Sequence, residues 1–293
     1  MSQNNKFSVS PYAIITPVKD EEEFIGRLIQ SVVQQTVQPR KWVILNDGSV
    51  DATGDIVHRA AREHDFIEVV DIPPRGKREP GGDSIFHLGL RHVPLEQLEF
   101  LARVDGDVSF PPEYFETMIR LFRENPRLGI ASGEMIYVEH GRKELFRGPA
   151  FQTHGPNKFY RIACLREIGW LDDRIGWDIV DNLKAIQKGW QARRIPELHF
   201  YHYRRVGARR GPLGIFENWG IAAYLVGYHP LFVAAKFVRH LVTFPYLIGS
   251  LWMMKHYFAC ALRREKRMVS PELMRFIRRE QLKKLLGKPN AWS

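Results

Sequence analysis

Short apolar runs alternate with amphipathic stretches over the first hundred residues. Residues 12–16, 42–45 and 66–70 are apolar runs with the length of buried strands, and Pro17 stops the first of them. After the first run, the acidic residues 20–23 suit the first turn of a helix. Apolar side chains then recur at helical spacing and would form its buried face: Phe24, Ile25, Leu28, Ile29, Val32 and Val33. Strands that alternate with helices predict an α/β fold with a mostly parallel central sheet.

The same pattern continues through the middle of the chain. Residues 100–104 form another largely apolar run, which ends in Asp105-Gly106-Asp107. Residues 111–122 predict a helix that starts with a proline, and residues 129–133 predict a further strand. Residues 155–161 mix aromatic and basic side chains and predict a loop.

Polar side chains gather at the ends of the predicted strands. In a parallel sheet, ligands bind beyond the carboxyl ends of the strands. Each of these residues alone is compatible with an ordinary loop, but together they predict one binding site: Thr16, Asp20, Asn46, Asp47, Asp105 and Asp107.

Asp105 and Asp107 are two carboxylates delivered to one point by a buried strand. Hard oxygen ligands of this kind suit Mg²⁺ or Mn²⁺, which can in turn hold a diphosphate. An Asp-x-Asp pair also occurs in solvated turns, so the pair alone does not establish a metal site.

Three segments in this order resemble the nucleotide-sugar signatures of family 2 glycosyltransferases: residues 12–22, 43–51 and 104–107. The resemblance extends over about residues 10–205. It implies the GT-A fold, which is a nucleotide-sugar-binding α/β sandwich, and transfer with inversion at the anomeric carbon. It also implies a site in which Thr16, Pro17 and Glu21 line the nucleoside pocket. Asp47 would accept a hydrogen bond from the base. Asp105 and Asp107 would carry Mg²⁺ or Mn²⁺, and Asp105 would also contact the donor.

The second informative segment precedes Gly189, which is typical of the end of a helix. By its distance from Gly189, Asp178 stands where the family has its acidic catalytic base, and Asp181 is the alternative. The motif departs from the family at Trp177 and Val180, where acidic residues are usual. Without the resemblance, Asp178 would be interpreted as a helix cap.

Four further residues complete the predicted site. Alternation over residues 198–205 predicts a strand with His202 and Arg204 on one face. The resemblance suggests His202 as a further metal ligand, and a simple hydrogen-bonded histidine is the alternative. Arg204 and Lys77 could neutralise the leaving diphosphate, and Lys158 could contact donor or acceptor. Lys77 and Lys158 are equally compatible with solvated loops.

The charge is concentrated at the end of the chain. We predict a catalytic domain over residues 1–210 and a helical, basic appendage over 211–293. Residues 201–293 hold 17 lysines and arginines against four acidic residues, whereas the whole chain has a net charge of +10. This tail also carries uncharged apolar stretches at 219–235 and 241–254, both shorter than the ~18–20 residues that span a bilayer.

Aromatic residues and cations in the tail predict association with an anionic membrane surface. A helical subdomain packed on the core is the alternative. Nucleic acid is not expected as a partner, because the tail combines long apolar stretches with no recognised binding motif. Two cysteines and a polar start at residues 1–9 indicate a reducing compartment and no secretory signal. The predicted location is therefore cytoplasmic, peripheral on the inner face of the cell membrane.

The predicted reaction is the transfer of a single sugar to a lipid-linked or polysaccharide acceptor, because the Gln-x-x-Arg-Trp-type motif of processive family members is not evident. Two alternatives belong to other classes. Asp105-Gly106-Asp107 also resembles the nucleophile turn of haloacid-dehalogenase-type phosphatases, although those place it on the first strand. A non-catalytic lipid-surface protein that binds nucleotide sugars is the second alternative.

Overall fold

The computed structural model describes residues 10–73, 83–139, 141–146, 148–169, 174–204 and 211–292. Lys77 lies outside these ranges, so its contact with the diphosphate stays a prediction. The strands in this part of the chain are β1 (Tyr12–Val18), β2 (Lys41–Asp47), β3 (Ile67–Ile72), β4 (Phe100–Val104), β5 (Val108–Ser109), β6 (Leu128–Glu139), β7 (Arg142–Leu145), β8 (Asn157–Arg161) and β9 (Gln191–His202). The helices are α1 (Ile25–Val33), α2 (Thr53–Glu63), α3 (Asp83–Leu90), α4 (Tyr114–Glu124), α5 (Ile162–Ile168), α6 (Trp177–Gln187), α7 (Gly211–Leu225), α8 (Pro230–His240), α9 (Leu247–Leu262) and α10 (Pro271–Leu285).

All of these strands join one sheet in the order β3-β2-β1-β4-β8-β6-β9-β5, with β7 paired to β6. The pairs within β3-β2-β1-β4 are parallel, as is β6–β9. The pairs β4–β8, β6–β8, β6–β7 and β5–β9 are antiparallel. The prediction of a mostly parallel sheet is therefore wrong, and the sheet is mixed.

Strand β8 is the main reason for this difference. The sequence pattern of residues 155–161 predicted a loop, because Asn157 and Lys158 are polar. In the structure these residues lie in the middle of the sheet, and both are fully buried. The amide of Asn157 donates a hydrogen bond to Tyr114 Oη, and the ammonium of Lys158 is paired with Asp181. These partners offset the cost of burying the amide nitrogen and the ammonium, whereas Asn157 Oδ1 is buried with no hydrogen-bond partner.

The sheet has an apolar core on each face. Alternate residues of β1 point in opposite directions, so Ala13 and Ile15 join one core while Tyr12 and Ile14 join the other. Helices α1, α2 and α4 cover the second face, and helices α3, α5 and α6 contribute to the first. Because the parallel strands are buried on both faces, their sequences are nearly continuous apolar runs.

The tail helices pack on this core. Side chains of α7 and α10, including Tyr224 and Ile277, belong to the same apolar cluster as α6 and β1. Backbone and side-chain hydrogen bonds join the parts of the tail, such as Met268 N to Leu225 O at 2.9 Å and His229 N to Gln281 Oε1 at 2.7 Å. This packing agrees with the subdomain alternative. The boundary between residues 210 and 211 stays a prediction.

Helices α8 and α9 and the segment between them nevertheless carry exposed apolar side chains, which we call the outer face: Val238, Val242, Phe244, Leu247, Ile248 and Leu251. Each of them is more than half exposed, and Val242 is 82% exposed. Within the described ranges, no helix combines the length and the apolar character needed to cross a membrane.

Candidate active site

A cleft opens at the carboxyl ends of β1, β2 and β4. Its volume is about 1720 Å³, which exceeds the roughly 300–1,000 Å³ of a site for one small ligand. The predicted residues that line it are Pro17, Glu21, Asp47, Asp105, Asp107, Asp178, His202 and Arg204. The cleft thus brings together residues that are up to 187 positions apart in the sequence, and it has space for two substrates.

The loops that follow β1 and β2 are tied together at the cleft. Asp20 adopts a left-handed conformation with φ 52° and accepts a hydrogen bond from Val50 N at 3.0 Å. The Glu21 amide donates to Thr53 Oγ1 at 2.7 Å, which fixes the loop against the start of α2. Asp47, at the end of β2, is 3% exposed and faces the cleft.

Thr16 is not part of this surface. It is fully buried, and its hydroxyl accepts a hydrogen bond from the indole of Trp42 at 2.9 Å. Successive side chains of a strand point to opposite faces, so Pro17 reaches the cleft while Thr16 stays in the core.

The acidic turn lies in the floor of the cleft. Asp107 Oδ1 lies 3.2 Å from His202 Nε2, and Asp107 Oδ2 lies 3.6 Å from Arg204 Nη1. The Asp105 amide donates to the carbonyl of Pro156 at 2.9 Å, which anchors the turn to the strand end beside it. Gly106 packs so closely against β1 that a Cβ there would lie 3.0 Å from Val18 Cγ1.

Arg204 is held by Glu21 in a bidentate ion pair, with nitrogen–oxygen distances of 2.9 and 2.8 Å. Glu21 is 4% exposed, so the pair is largely shielded from water. The pair fixes the orientation of the guanidinium, and the N–H donors of Arg204 that Glu21 does not use can still contact a phosphate. Glu21 and Arg204, which the sequence analysis placed in one site, are therefore in direct contact.

Burial raises the pKa of Asp105, and the neighbouring charges of Asp107 and Asp178 raise it further against the opposing charges of Arg103 and His202. More than a third of the Asp105 side chain, 37%, is nevertheless open to the cleft. A carboxylate crowded by other carboxylates in this way is stabilised by a cation placed among them.

The donor set of Asp105, Asp107 and His202 suits a divalent cation. His202 is 4% exposed and its Nε2 faces Asp107, whereas its Nδ1 is buried with no hydrogen-bond partner. Carboxylate oxygens with one imidazole fit Mn²⁺, whose remaining ligands come from phosphate and water. In the described part of the chain, no group of three or more His, Cys, Asp or Glu side chains is already clustered as a metal site.

Asp178 lies in the first turn of α6 and lines the same cleft as the acidic turn. Burial raises its pKa, the charge of Asp181 adds to the effect, and Lys158 and Arg103 oppose it. Next to it, the Trp177 ring stacks between two cations, with Arg103 Cζ at 3.8 Å and Lys158 Nζ at 5.2 Å from its centroid. Trp177, where the motif departs from the family, therefore packs between β4 and α6.

Asp181 and Lys158 lie behind the wall of the cleft. Their ion pair is short, at 2.7 Å, and the two side chains are 3% and 0% exposed. Tyr160 Oη donates to Asp181 Oδ2 at 2.6 Å, and Lys158 also donates to the backbone carbonyl of Asp178. The structure therefore does not bring Asp181 or Lys158 to a substrate, and both hold α6 against β8.

Sequence reasoning missed the wall formed by β6 and β9. His154 and Arg194 line it, and Arg194 Nη1 lies 3.2 Å from Glu134 Oε2. Burial lowers the pKa of His154 to about 3, and the charges of Arg194, Lys158 and His202 act in the same direction. His154 is therefore neutral at physiological pH. Arg103 also lines the cleft, and its charge inside an apolar run could have marked it in the sequence. No sequence signal marked His154.

A model of the family described as glycosyl transferase family 2 matches residues 13–172, which is more than half of the chain. The chain belongs to glycosyl transferase family 2. The phosphatase alternative is therefore wrong, in agreement with the position of Asp105 after the fourth strand of the sheet rather than the first.

Similarity to individual family members is lower. Over 133 residues, this family 2 glycosyltransferase is 29% identical to the 4,4'-diaponeurosporenoate glycosyltransferase of Staphylococcus aureus (strain USA300). That match covers 45% of this chain and 33% of the relative, so the chain aligns with about a third of the relative's length.

Solved structures confirm the GT-A fold. S. aureus TarS 1-349 in complex with UDP-GlcNAc superposes with a TM-score of 0.55 at 18% identity, covering 94% of this chain and 79% of that one. The mannosyltransferase PcManGT from Pyrobaculum calidifontis, in complex with GDP-Man and Mn²⁺, gives 0.55 at 16% identity, covering 94% and 82%. GalNAc-T7 with UDP, GalNAc and Mn²⁺ gives 0.59 at 10% identity, covering 86% and 56%.

Proposed function

We propose that this protein transfers a single sugar, with inversion and with a divalent metal, from a nucleotide-sugar donor to a lipid-linked or glycan acceptor. One observation carries the proposal. The lining of a single cleft includes Asp105, Asp107 and His202 together with Asp178, whose charge acts on Asp105. Metal-carrying and proton-accepting groups thus share one space that is large enough for both substrates.

The donor would lie along the carboxyl ends of β1 and β2. Pro17 and Asp47 would contact the nucleoside, with Asp47 as the acceptor of a hydrogen bond from the base. Arg204, fixed by Glu21 and 3.6 Å from Asp107, would contact the diphosphate. Structures of TarS and PcManGT with UDP-GlcNAc and GDP-Man support a donor of this class for the shared fold.

Asp107 and His202 would hold the divalent cation, with Asp105 beside them. Structures of PcManGT and GalNAc-T7 that contain Mn²⁺ support a divalent metal for the shared fold. When bound, the cation would supply positive charge that stabilises the nucleotide diphosphate as it leaves.

Asp178 would act as the general base. Its raised pKa makes the ionised carboxylate a stronger base than that of an exposed aspartate. The acceptor hydroxyl would lose its proton to Asp178 as its oxygen bonds to the anomeric carbon. The bond from that carbon to the diphosphate breaks on the opposite side, and the electron pair stays on the diphosphate, so the configuration inverts.

A ligand screen tests the donor. UDP-, GDP- and TDP-sugars with Mn²⁺ should include one that raises the melting temperature. A ligand present at 100 times its dissociation constant stabilises the fold by about 2.7 kcal/mol. Addition of a chelator should remove most of the increase. If no nucleotide sugar stabilises the protein at millimolar concentration, the proposed donor class is wrong.

We also propose that the protein binds the cytoplasmic face of the membrane peripherally. The outer face of α8 and α9 is apolar, and exposed cations on the same helices, Arg239 and Lys255, would contact anionic headgroups. Lys255 Nζ lies 3.9 Å from the centroid of the Trp252 ring, an arrangement suited to the headgroup region.

Arg239→Glu combined with Lys255→Glu should weaken binding to vesicles of anionic lipid by more than tenfold. Each cation contributes on the order of 1 kcal/mol near such a surface, and reversal adds repulsion. Co-sedimentation at low and at 0.15 M salt measures the effect, because screening over ~8–10 Å reduces it. Arg59→Glu combined with Arg62→Glu makes the same charge change at exposed positions of α2 and should have little effect. If the wild-type protein does not bind anionic vesicles at low salt, the membrane proposal is wrong.

A further inference from the structure

The cleft has a polar end and an apolar end. The acidic turn and Arg204 form the polar end, which accounts for a nucleotide sugar and its metal. The opposite end is walled by residues of α7 and of the segment after α8, which we call the apolar end: Ile215, Phe216, Trp219 and Phe244. Asn218 and Thr243 are the polar residues that line the cleft beside them. One aromatic face also suits a sugar ring or a base, but a row of aliphatic and aromatic side chains is matched along its length by an apolar group.

The apolar end is fixed in place by tight helix packing. Gly220 of α7 lies so close to α9 that a Cβ there would collide with the Met253 carbonyl. The ring of Phe216 packs against Gly249 at the start of α9, and the Trp219 ring centroid lies 4.9 Å from that of Phe216. The groove is therefore largely preformed and does not depend on a ligand for its shape.

Phe244 joins the cleft to the outer face. It lines the cleft, yet 66% of its surface is exposed, and its ring lies 5.8 Å from that of the exposed Tyr246. An apolar chain bound along Trp219 would therefore leave the cleft past Phe244, onto the apolar surface of α8 and α9. A chain that ended inside the cleft would not need this continuity.

A cation lies beside the groove. Lys236 Nζ is 5.5 Å from the Trp219 ring centroid and 5.8 Å from that of Tyr228. Burial, followed by the charge of Arg239, lowers the pKa of Lys236 to about 8. It is therefore still mainly charged at neutral pH, and no carboxylate in the described part of the chain is among the groups that shift its pKa. A partly buried cation with no anionic partner is stabilised by a ligand that brings one.

We propose that the apolar end of the cleft binds the hydrocarbon chain of an anionic amphiphile, which serves as the acceptor. Its chain would lie along Ile215, Phe216 and Trp219 and emerge past Phe244, with its anionic group near Lys236 and its reacting hydroxyl at Asp178. This inference rests on the proposed function and specifies the class of acceptor.

Binding of alkyl phosphates with 4, 8 and 12 carbons tests the groove, measured by calorimetry on the full chain below micelle-forming concentrations. Affinity should rise with chain length, by up to about fourfold for each methylene buried. Phe244→Ser should flatten this dependence without a change in melting temperature, because Phe244 is exposed. Trp219→Leu should flatten it as well. Leu286→Ser, a comparable exposed site outside the cleft, is the control and should retain the dependence.

Lys236→Met tests the charge. It keeps an apolar stem against Trp219, so dodecyl phosphate should lose about fivefold in affinity, the scale of one cation beside one headgroup. A neutral 12-carbon alkyl glucoside should bind unchanged. Equal loss for both probes would overturn the anionic part of the inference.

If the affinity for alkyl phosphates still rises with chain length in both Phe244→Ser and Trp219→Leu, the proposed groove is wrong. It is also wrong if the affinity of the wild type does not rise with chain length. Dissociation of a dimer by the amphiphile, seen in sedimentation, would assign the outer face to a second copy and would also overturn it. The donor screen on the same samples separates the two proposals. Donor binding without amphiphile selectivity leaves the proposed function intact, whereas the absence of donor binding removes the function itself.

Discussion

Asp178→Asn is expected to lower kcat by about 10²-fold or more, the usual scale for loss of a general base. The amide keeps the shape of the side chain but cannot accept the acceptor proton. Donor affinity should be nearly unchanged. In the wild type, kcat should fall as the pH drops through the raised pKa of Asp178, because protonation removes the base. This acidic limb should be absent from the residual activity of the variant.

The melting temperature provides a second measurement on the same variant. The pKa of Asp178 is raised in the folded state, so its ionised form is disfavoured there and costs stability at neutral pH. That cost disappears as the pH falls through the raised pKa, and Asn removes it at every pH. Asp178→Asn should therefore be at least as stable as the wild type at neutral pH while it is far less active.

Asp181→Asn is the matched control. It removes one partner of a buried ion pair with Lys158, a change that typically costs 3–5 kcal/mol. A large decrease in melting temperature is expected, with kcat per folded molecule much less affected than in Asp178→Asn. The reverse pattern, normal turnover in Asp178→Asn and loss of the acidic limb in Asp181→Asn, would assign the base to Asp181.

Asp107→Ala is expected to abolish transfer and to remove the part of nucleotide affinity that depends on Mn²⁺. Asp107 contacts both His202 and Arg204, so its loss takes away a metal ligand and a partner of the diphosphate-binding cation. The fold should survive, because the residue lies in the turn between β4 and β5. Calorimetric titration of the nucleotide with Mn²⁺ and with a chelator measures the two parts separately.

Asp55→Ala, an exposed acidic site in α2, is the control for a general change in charge and should bind and turn over normally. Full activity of the wild type in excess chelator, or an unchanged Mn²⁺ effect in Asp107→Ala, would rule out the metal role of Asp107. His202→Asn should produce an intermediate loss if the imidazole is a ligand, and no loss if it is only a buried histidine.

The location of the site followed from the sequence because parallel strands end at one edge of a sheet. Apolar runs marked β1, β2 and β4, and of the polar residues after them Asp47, Asp105 and Asp107 line the cleft. Asp20 and Asn46 do not line it, and the Asn46 side chain donates to Asp71 Oδ1 instead. Thr16 does not line it either, although it stands beside Pro17, because the alternation of side chains along a strand sends neighbours to opposite faces. The pattern locates a strand end more reliably than it decides which of two adjacent residues is exposed.

Strand β8 could not be predicted because its partners are distant in the sequence. Lys158 looked like a solvated or substrate-binding residue, and the carboxylate that neutralises it lies 23 positions later. Local composition cannot reveal a compensating charge that only the fold supplies. The same limit hid the mixed sheet, the wall around His154 and the packing of the tail on α6.

The stack of Arg103 on Trp177 has a consequence for recombining parts of related enzymes. Arg103 precedes Asp105 by two residues, and Trp177 directly precedes Asp178. The stack therefore joins the segment of the acidic turn to the segment of the proposed base. A chimera that imports the α6 segment of a relative, with an acidic residue in place of Trp177, would exchange a cation–π contact for a carboxylate against Arg103. The distance between the two halves of the site would then change, even though every catalytic residue remained. The two segments should be exchanged as one unit.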